Sequence, residues 1–197
     1  MLNPHKNSAG FSLIELMVTI ALVGILAVMG VPAFTNWIQN SHIRTAAESI
    51  SDGLQLARAE AVRRNTTVRF NLTSASGLVD WEVCASANSP CPSSDIIQKR
   101  ANTEGSVNAR IGVYNNGDGN NAANYATIIA AGNELPAHAT FNGLGRTVSD
   151  STSNVVRVDV TNSVNANARR LVITVGIPGG EIRMCDPALT SPDPKAC

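Results

Sequence analysis

The chain has 197 residues, 15 Lys plus Arg against 15 Asp plus Glu, four cysteines and 4% aromatic residues. That length suits one ordinary domain with an appendage and crowds out two. Balanced charge removes any global electrostatic case for nucleic acid or an acidic partner, so such a role must rest on a local patch. Abundant Ser, Thr, Asn, Ala and Gly suit an extracytoplasmic, β-rich surface better than an enzyme core.

The opening MLNPHKNSAG is short and polar, with Lys6 and no acid, which places this end on the cytoplasmic side of a membrane. Phe11 to Val31 follows, 21 residues with Glu15 as the single charge. A helix needs about 20 such residues to cross the hydrocarbon layer. A secretory signal would have a shorter apolar core and an A-x-A-like cleavage site, and this run has neither. A carboxylate at the bilayer centre costs roughly 2.5–3.5 kcal/mol on insertion scales, so Glu15 implies a function. Pro32 closes the run, removes one backbone hydrogen bond and predicts a bend.

Beyond Pro32 the apolar residues narrow to a stripe. Ile43, Ala47, Ile50, Leu54, Ala57 and Ala61 step by four and three, which predicts one buried helix face. Arg44, Glu48, Gln55, Arg58 and Arg63 fall mostly elsewhere, and Glu60 with Arg64 has the spacing of an i,i+4 pair. The helix from Ser12 to Asn65 would measure about 80 Å if unbroken.

After Asn65 the period drops to two. Val68, Phe70 and Leu72, then the turn SASG, then Val79, Trp81 and Val83 predict an antiparallel hairpin packed on the helix. Further strands are expected at Val107–Tyr114, Ala126–Ala130, Ala139–Phe141, Asn154–Val160, Arg169–Val175 and Glu181–Cys185, with a polar loop at Asn115–Asn124. The fold class is α+β, a long helix laid across an antiparallel sheet.

Cys84 with Cys91, and Cys185 with Cys197, form two sequence-local groups in Pro/Ser/Asp-rich loops. Two disulfides in an oxidising compartment are the natural reading, with local connectivity favoured among the three arrangements four cysteines allow. A four-cysteine zinc site is the competing reading, but no C-x-x-C spacing exists and the loops lack His.

Catalytic signatures are missing: no G-x-S-x-G, H-E-x-x-H or Walker loop occurs. His5, His42 and His138 have no patterned partner. GLGR at Gly143–Arg146 lacks the third glycine of a dinucleotide loop and reads as a hairpin turn. NNGDGNN offers oxygen ligands but no EF-hand spacing. No catalytic residue, metal site or cofactor is expected.

The junction AG followed by FSLIELMVTIALVGILAVMGVP resembles the class III signal of type IV pilins and type II secretion pseudopilins. Gly10 ends a short basic leader, Phe11 is the aromatic that follows, Glu15 is the fifth residue after the cut, and Pro32 closes the run. The resemblance implies cleavage between Gly10 and Phe11 by the prepilin peptidase, with N-methylation of Phe11. It implies too that Glu15 meets the new α-amine of an adjacent subunit. Loss of the leader removes Lys6, leaving 14 basic against 15 acidic residues.

LQLARAEAVRRN at Leu54–Asn65, followed by a strand and a tryptophan-bearing hairpin, narrows the resemblance to GspH/FimT-type minor pilins and pseudopilins, FimU-like members included. TFNGLGR at Thr140–Arg146 and GGEIRMCDP near the end are similar to that family's downstream landmarks. The implied fold is the type IV pilin fold, with a long kinked N-terminal helix packed on an antiparallel sheet. The implied organisation is a leader at 1–10, a transmembrane and filament-core helix at 11–32, an amphipathic helix at 33–65 and a β-rich domain at 66–197.

The function so implied is structural and not enzymatic: a minor pilin that helps initiate or cap a type IV pilus. Its partners would be other major and minor pilins, the prepilin peptidase and the inner-membrane assembly platform. It would sit in the inner membrane as a single-pass protein with its C-terminal domain in the periplasm, then in the filament. One alternative is a minor pseudopilin of a type II secretion system. Another is DNA binding through a C-terminal G-R-x-R motif, here Gly180-Glu181-Ile182-Arg183. Glu181 replaces one arginine and repels phosphate, which leaves Arg169, Arg170 and Arg183 as the candidate contacts.

Overall fold

Strand formation after residue 65 follows from the alternation in the sequence, but the strands divide into two sheets where one was expected. The structure, a computed structural model, describes residues 11–86, 90–117, 123–148 and 154–197, without the side chains of Met29, Pro32 and Ala33. One sheet has the order β3-β2-β1-β5 and the other β4-β6-β7-β8, all neighbours antiparallel. The elements are α1 (Leu13–Arg64), β1 (Val68–Leu72), β2 (Trp81–Cys84), β3 (Ile96–Arg100), β4 (Ala109–Asn115), β5 (Ala137–Phe141), β6 (Val155–Asn162), β7 (Leu171–Val175) and β8 (Ile182–Cys185), with a short 3-10 turn at Ser93–Asp95.

Two expectations fail here for physical reasons. The β-branched run Ala126–Ala130 is not a strand, because its backbone bonds to buried side chains instead of a neighbouring chain. Conversely β3 went unexpected. As an edge strand it buries neither face fully, and Gln98 and Lys99 are exposed, so it shows little alternation.

The chain divides into two compact units, Met1–Trp37 and Ile38–Cys197. In the second, Ile43, Ala46, Ala47, Ile50, Leu54, Ala57 and Ala61 of α1 have no solvent exposure, and all six residues of the expected stripe are among them. They join Val68, Phe70, Leu72, Trp81 and Val83 of one sheet and Ile111, Val113, Val158, Val160 and Ile173 of the other in one apolar cluster. Gly53 lets α1 approach the first sheet closely. A Cβ there would lie 2.6 Å from Cε2 of Phe70, whose ring also meets Trp81 at 5.6 Å between centroids.

The helix closes as a Schellman motif. Asn65 adopts φ 47°, Thr66 N–H donates to Ala61 O and Asn65 N–H to Val62 O, both at 3.2 Å. Glu60 accepts from Arg63 and Arg64, each at 2.7 Å. The hydrogen bond from Arg63, then that from Arg64, holds the Glu60 carboxyl down at about 2.

The sheets are stitched at both ends. Ile111 N–H donates to Gly77 O at 2.8 Å and Gly132 N–H to Ile111 O at 2.9 Å, so the outer edge of β4 is covered. His138 and Asn154 form a parallel bridge between β5 and the start of β6. Disulfides join Cys84 to Cys91 and Cys185 to Cys197. With no free cysteine, a four-thiolate zinc site has no ligands.

Candidate assembly helix and a buried arginine network

The sequence Ser12-Leu13-Ile14-Glu15 has the S-x-x-E form of a capping box, and the structure forms its serine half. Glu15 N–H donates to Ser12 Oγ at 3.3 Å and Leu16 N–H to Ser12 O at 3.2 Å, so Ser12 caps α1 and Glu15 lies in its first turn. Its negative charge there also complements the helix dipole. Thr19 Oγ1 donates to Leu16 O at 2.8 Å, so the remaining polar side chain of this stretch is satisfied within the helix.

Around these groups the surface is apolar on every side. Phe11 is 83% exposed, and each large apolar side chain described from Leu13 to Val31 is more than half exposed. A helix apolar all round requires lipid or other helices as its surroundings. Among the described residues no helix is long and apolar enough to cross a membrane; the 21-residue run of the sequence includes Met29, whose side chain is outside the described set. Gly10, the expected cleavage position, lies outside the described residues. Pro32 falls within α1, and the bend expected there rests on a side chain that is not described.

The other side-chain constellation was not foreseen. Arg157 and Asp159 on β6 are both fully buried. Arg157 donates to Asp159 through Nε at 2.7 Å and Nη2 at 2.9 Å. It also donates to Asn124 O and Thr127 O at 2.8 Å, and its guanidinium lies 5.0 Å from the centre of the Tyr125 ring. Arg170 reaches Asp159 Oδ2 at 2.6 Å and the carbonyls of Thr127, at 3.2 Å, and Tyr125. Ile129 N–H completes the set by donating to Asp159 Oδ2 at 3.1 Å. One carboxylate and three loop carbonyls thus accept hydrogen bonds from two guanidiniums and fix the segment from Asn124 to Ile129. In the sequence this is RVD within the alternating VVRVDV, and nothing local distinguishes it from a solvent-facing pair.

That network includes one of the three candidate DNA contacts. Arg170 is 14% exposed and committed to Asp159, and Arg169 pairs with Asp186. Arg183 on β8 donates to Ala196 O at 2.8 Å. Two of the three cations are matched by carboxylates, so the contacts do not form a basic patch of three available arginines. Arg183 does border a cleft of about 330 Å³ with Tyr125, Thr174 and Glu181. Among the described residues no group of His, Cys, Asp and Glu is arranged to hold a metal ion.

The two downstream sequence landmarks meet in space. Asn142 N–H donates to Arg146 O at 2.9 Å across the turn Gly143-Leu144-Gly145, as the hairpin reading of GLGR expects. Arg58 Nε on α1 donates to Gly145 O at 3.0 Å, and Thr147 N–H donates to Pro178 O at 3.2 Å. Gly180, at φ +70°, has that same Gly145 carbonyl oxygen 2.4 Å from where a Cβ would stand, so only glycine fits. The landmarks form a joint that fastens the end of α1, the turn after β5 and the β7–β8 turn together.

A capped, all-apolar N-terminal helix and an α-on-β domain closed by this joint define a pilin-like subunit. The prokaryotic N-terminal methylation motif matches residues 5–31, and the family described as type II transport protein GspH matches residues 46–188. The chain belongs to the GspH family. It is also similar to two type IV major fimbrial proteins FimA of Dichelobacter nodosus. One is 40% identical over 75 residues, which is 37% of this chain and 45% of the relative; the other is 47% identical over 53 residues, 26% and 31%. The similarity therefore spans less than half the length of those relatives. The crystal structure of the type IV minor pilin FimU of Pseudomonas aeruginosa superimposes with TM-score 0.51 and 13% identity, over 75% of this chain and 90% of that one. That likeness gives the type IV pilin fold.

Proposed function

We propose that the chain is a minor subunit of a type IV pilus that helps initiate or cap filament assembly. The observation that carries this reading is the stretch from Phe11 to Val31, apolar on all faces and open to other helices. In the precursor it anchors the protein in the inner membrane, with the β-rich unit on the periplasmic side. After the prepilin peptidase cuts between Gly10 and Phe11, with methylation of Phe11, the same surface packs against neighbouring pilins. Glu15 then has two tasks. Its first-turn charge favours its own helix, whose Glu15 N–H is capped by Ser12 Oγ, and it offers a carboxylate to the α-amine of an adjacent subunit. Opposite charges in a helical bundle of low dielectric attract strongly, although desolvation offsets much of the gain.

The GspH family match supports a second reading, a minor pseudopilin of a type II secretion filament. DNA binding has weaker support, because Asp159 and Asp186 pair with two of the three arginines it would need.

The test is incorporation. A tagged copy in pilus-producing cells is expected in the sheared filament fraction. Glu15→Ala is expected to insert into the membrane normally but to be depleted from that fraction. Recovery of the protein only with secretion-system components overturns the pilus reading, and normal incorporation of Glu15→Ala overturns the role of Glu15.

A further inference from the structure

Among the described residues the two sheets end on β3, β5, β4 and β8, and an open sheet edge is a template for another strand. Three of these edges are protected. The β4 edge is covered at Ile111 by Gly77 and Gly132. On β5, Val148 N–H donates to Thr140 O at 2.9 Å, and Thr140 N–H donates to Asn154 Oδ1 at 3.1 Å. On β3, Gln98 and Lys99 are exposed and Arg100 follows without an acid, the kind of charge that blunts an edge.

The β8 edge is built differently. Gly176 N–H donates to Glu181 O at 2.7 Å, whereas Asp186 N–H donates to Lys195 O at 2.7 Å. Odd-numbered residues of this strand therefore turn their backbone groups to β7, and even-numbered ones turn them outward. The C-terminal segment reaches only Asp186, which bridges to Ala196. Among the described residues nothing bonds to the outward N–H and C=O of Ile182 and Met184, and Met184 is 38% exposed. Glu181 and Arg183 are exposed, and among the described residues neither has an ion-pair partner. Arg183 gives one N–H to Ala196 O at 2.8 Å, which leaves its charge unmatched.

We propose that this edge pairs with the same edge of a second copy of the chain, antiparallel, about a two-fold axis at Ile182. Only outward-facing residues exchange bonds across the new pair, so the axis falls at Ile182, Arg183 or Met184. An axis at Arg183 sets that cation directly against itself, which is destabilising. An axis at Met184 sets Ile182 against Asp186, whose N–H is already taken by Lys195. The axis at Ile182 sets Glu181 of each copy opposite Arg183 of the other, so the match is made on both sides of the axis. In that register Gly179 and Gly180 fall opposite Cys185 and Met184 of the other copy, beside its C-terminal segment, and bring no side chain against it. The pairing uses the globular unit alone and stands apart from the assembly reading.

The experiment uses the full mature chain in detergent micelles with one added cysteine, the four native ones being paired in disulfides. In the proposed register the two Cα atoms at position 182 lie about 5.5 Å apart, within disulfide reach. Under mild oxidation Ile182→Cys is expected to form covalent dimer several-fold above Gln98→Cys, an exposed β3 position that measures chance encounter in the micelle. In the Ile182→Cys chain, Glu181→Arg is expected to lower the dimer several-fold, and Arg183→Glu added to it to restore the yield, because reversing both charges recreates the match. Chains carrying Glu181→Cys, mixed with chains carrying Arg183→Cys, are expected to join to each other more than either joins to itself, a check on register that leaves Ile182 intact. Equal yields at 182 and 98 with no preference for the mixed pair overturn the inference. So does a yield at 182 that ignores the charge reversals, or self-joining of Arg183→Cys in preference to the mixed pair.

Discussion

The N-terminal part of α1 leaves its described large apolar side chains exposed, whereas the later part buries a continuous stripe. From Phe11 to Val31 the helix is apolar on all faces, and its polar groups bond only within the helix. From Ile43 to Ala61 it is apolar on one stripe, and much of that stripe is Ala or Gly. The small residues let Phe70 and Trp81 come down onto the backbone, so this end has one partner, chosen by shape. The N-terminal end has no such selectivity in itself. Its partner is whatever apolar surroundings arrive, which suits the use proposed for it above.

The largest way to break the stable end is to strip the charge from the buried network. Asp159→Ala leaves Arg157 and Arg170 without their carboxylate and is expected to cost about 3–5 kcal/mol, read as a lower urea midpoint. The Ser12–Glu15 cap lies in the other unit and should be untouched. Removing the terminal staple by Cys185→Ser with Cys197→Ser is expected to cost about 2–4 kcal/mol in the same assay.

Gly53→Val tests the shape argument directly. It drives a branched side chain into the Phe70 ring and should cost about 1–3 kcal/mol; unchanged stability would mean that the strands do not need the close approach. The smallest effect concerns Glu60 at the helix end. Its carboxyl is held at about 2, below its ordinary 4.5, by Arg63 and Arg64. The stabilisation is therefore complete above pH 4.5 and fades as pH falls toward 2. The difference in Tm between the protein and Glu60→Gln should accordingly be present at neutral pH and shrink across that window.

The amount legible beforehand differed between the regions. The stripe of α1 and the strands at Val68–Leu72, Ala139–Phe141 and residues 155–160 are written in local periodicity, and they fold as that periodicity directs. The Ala126–Ala130 segment misled, because β-branched residues describe a preference for extended backbone but not where the hydrogen bonds go. Here they go to Asp159 and two guanidiniums. The partner of Arg170 was equally illegible: an arginine beside an arginine looks like surface charge, and the carboxylate that meets it lies eleven positions away.

By itself the sequence determined the apolar helix, the amphipathic stripe that follows, the preference for pairing near cysteines and the alternation of most strands, because each depends on residues a few positions apart. Only the tertiary structure decided that the strands form two sheets, that TFNGLGR and GGEIRMCDP make one joint against Arg58, and that Arg157, Asp159 and Arg170 share a buried site. Those outcomes depend on which distant segments meet. A buried charge is tolerable only when its partners arrive from elsewhere in the chain, and no local spacing records that arrival.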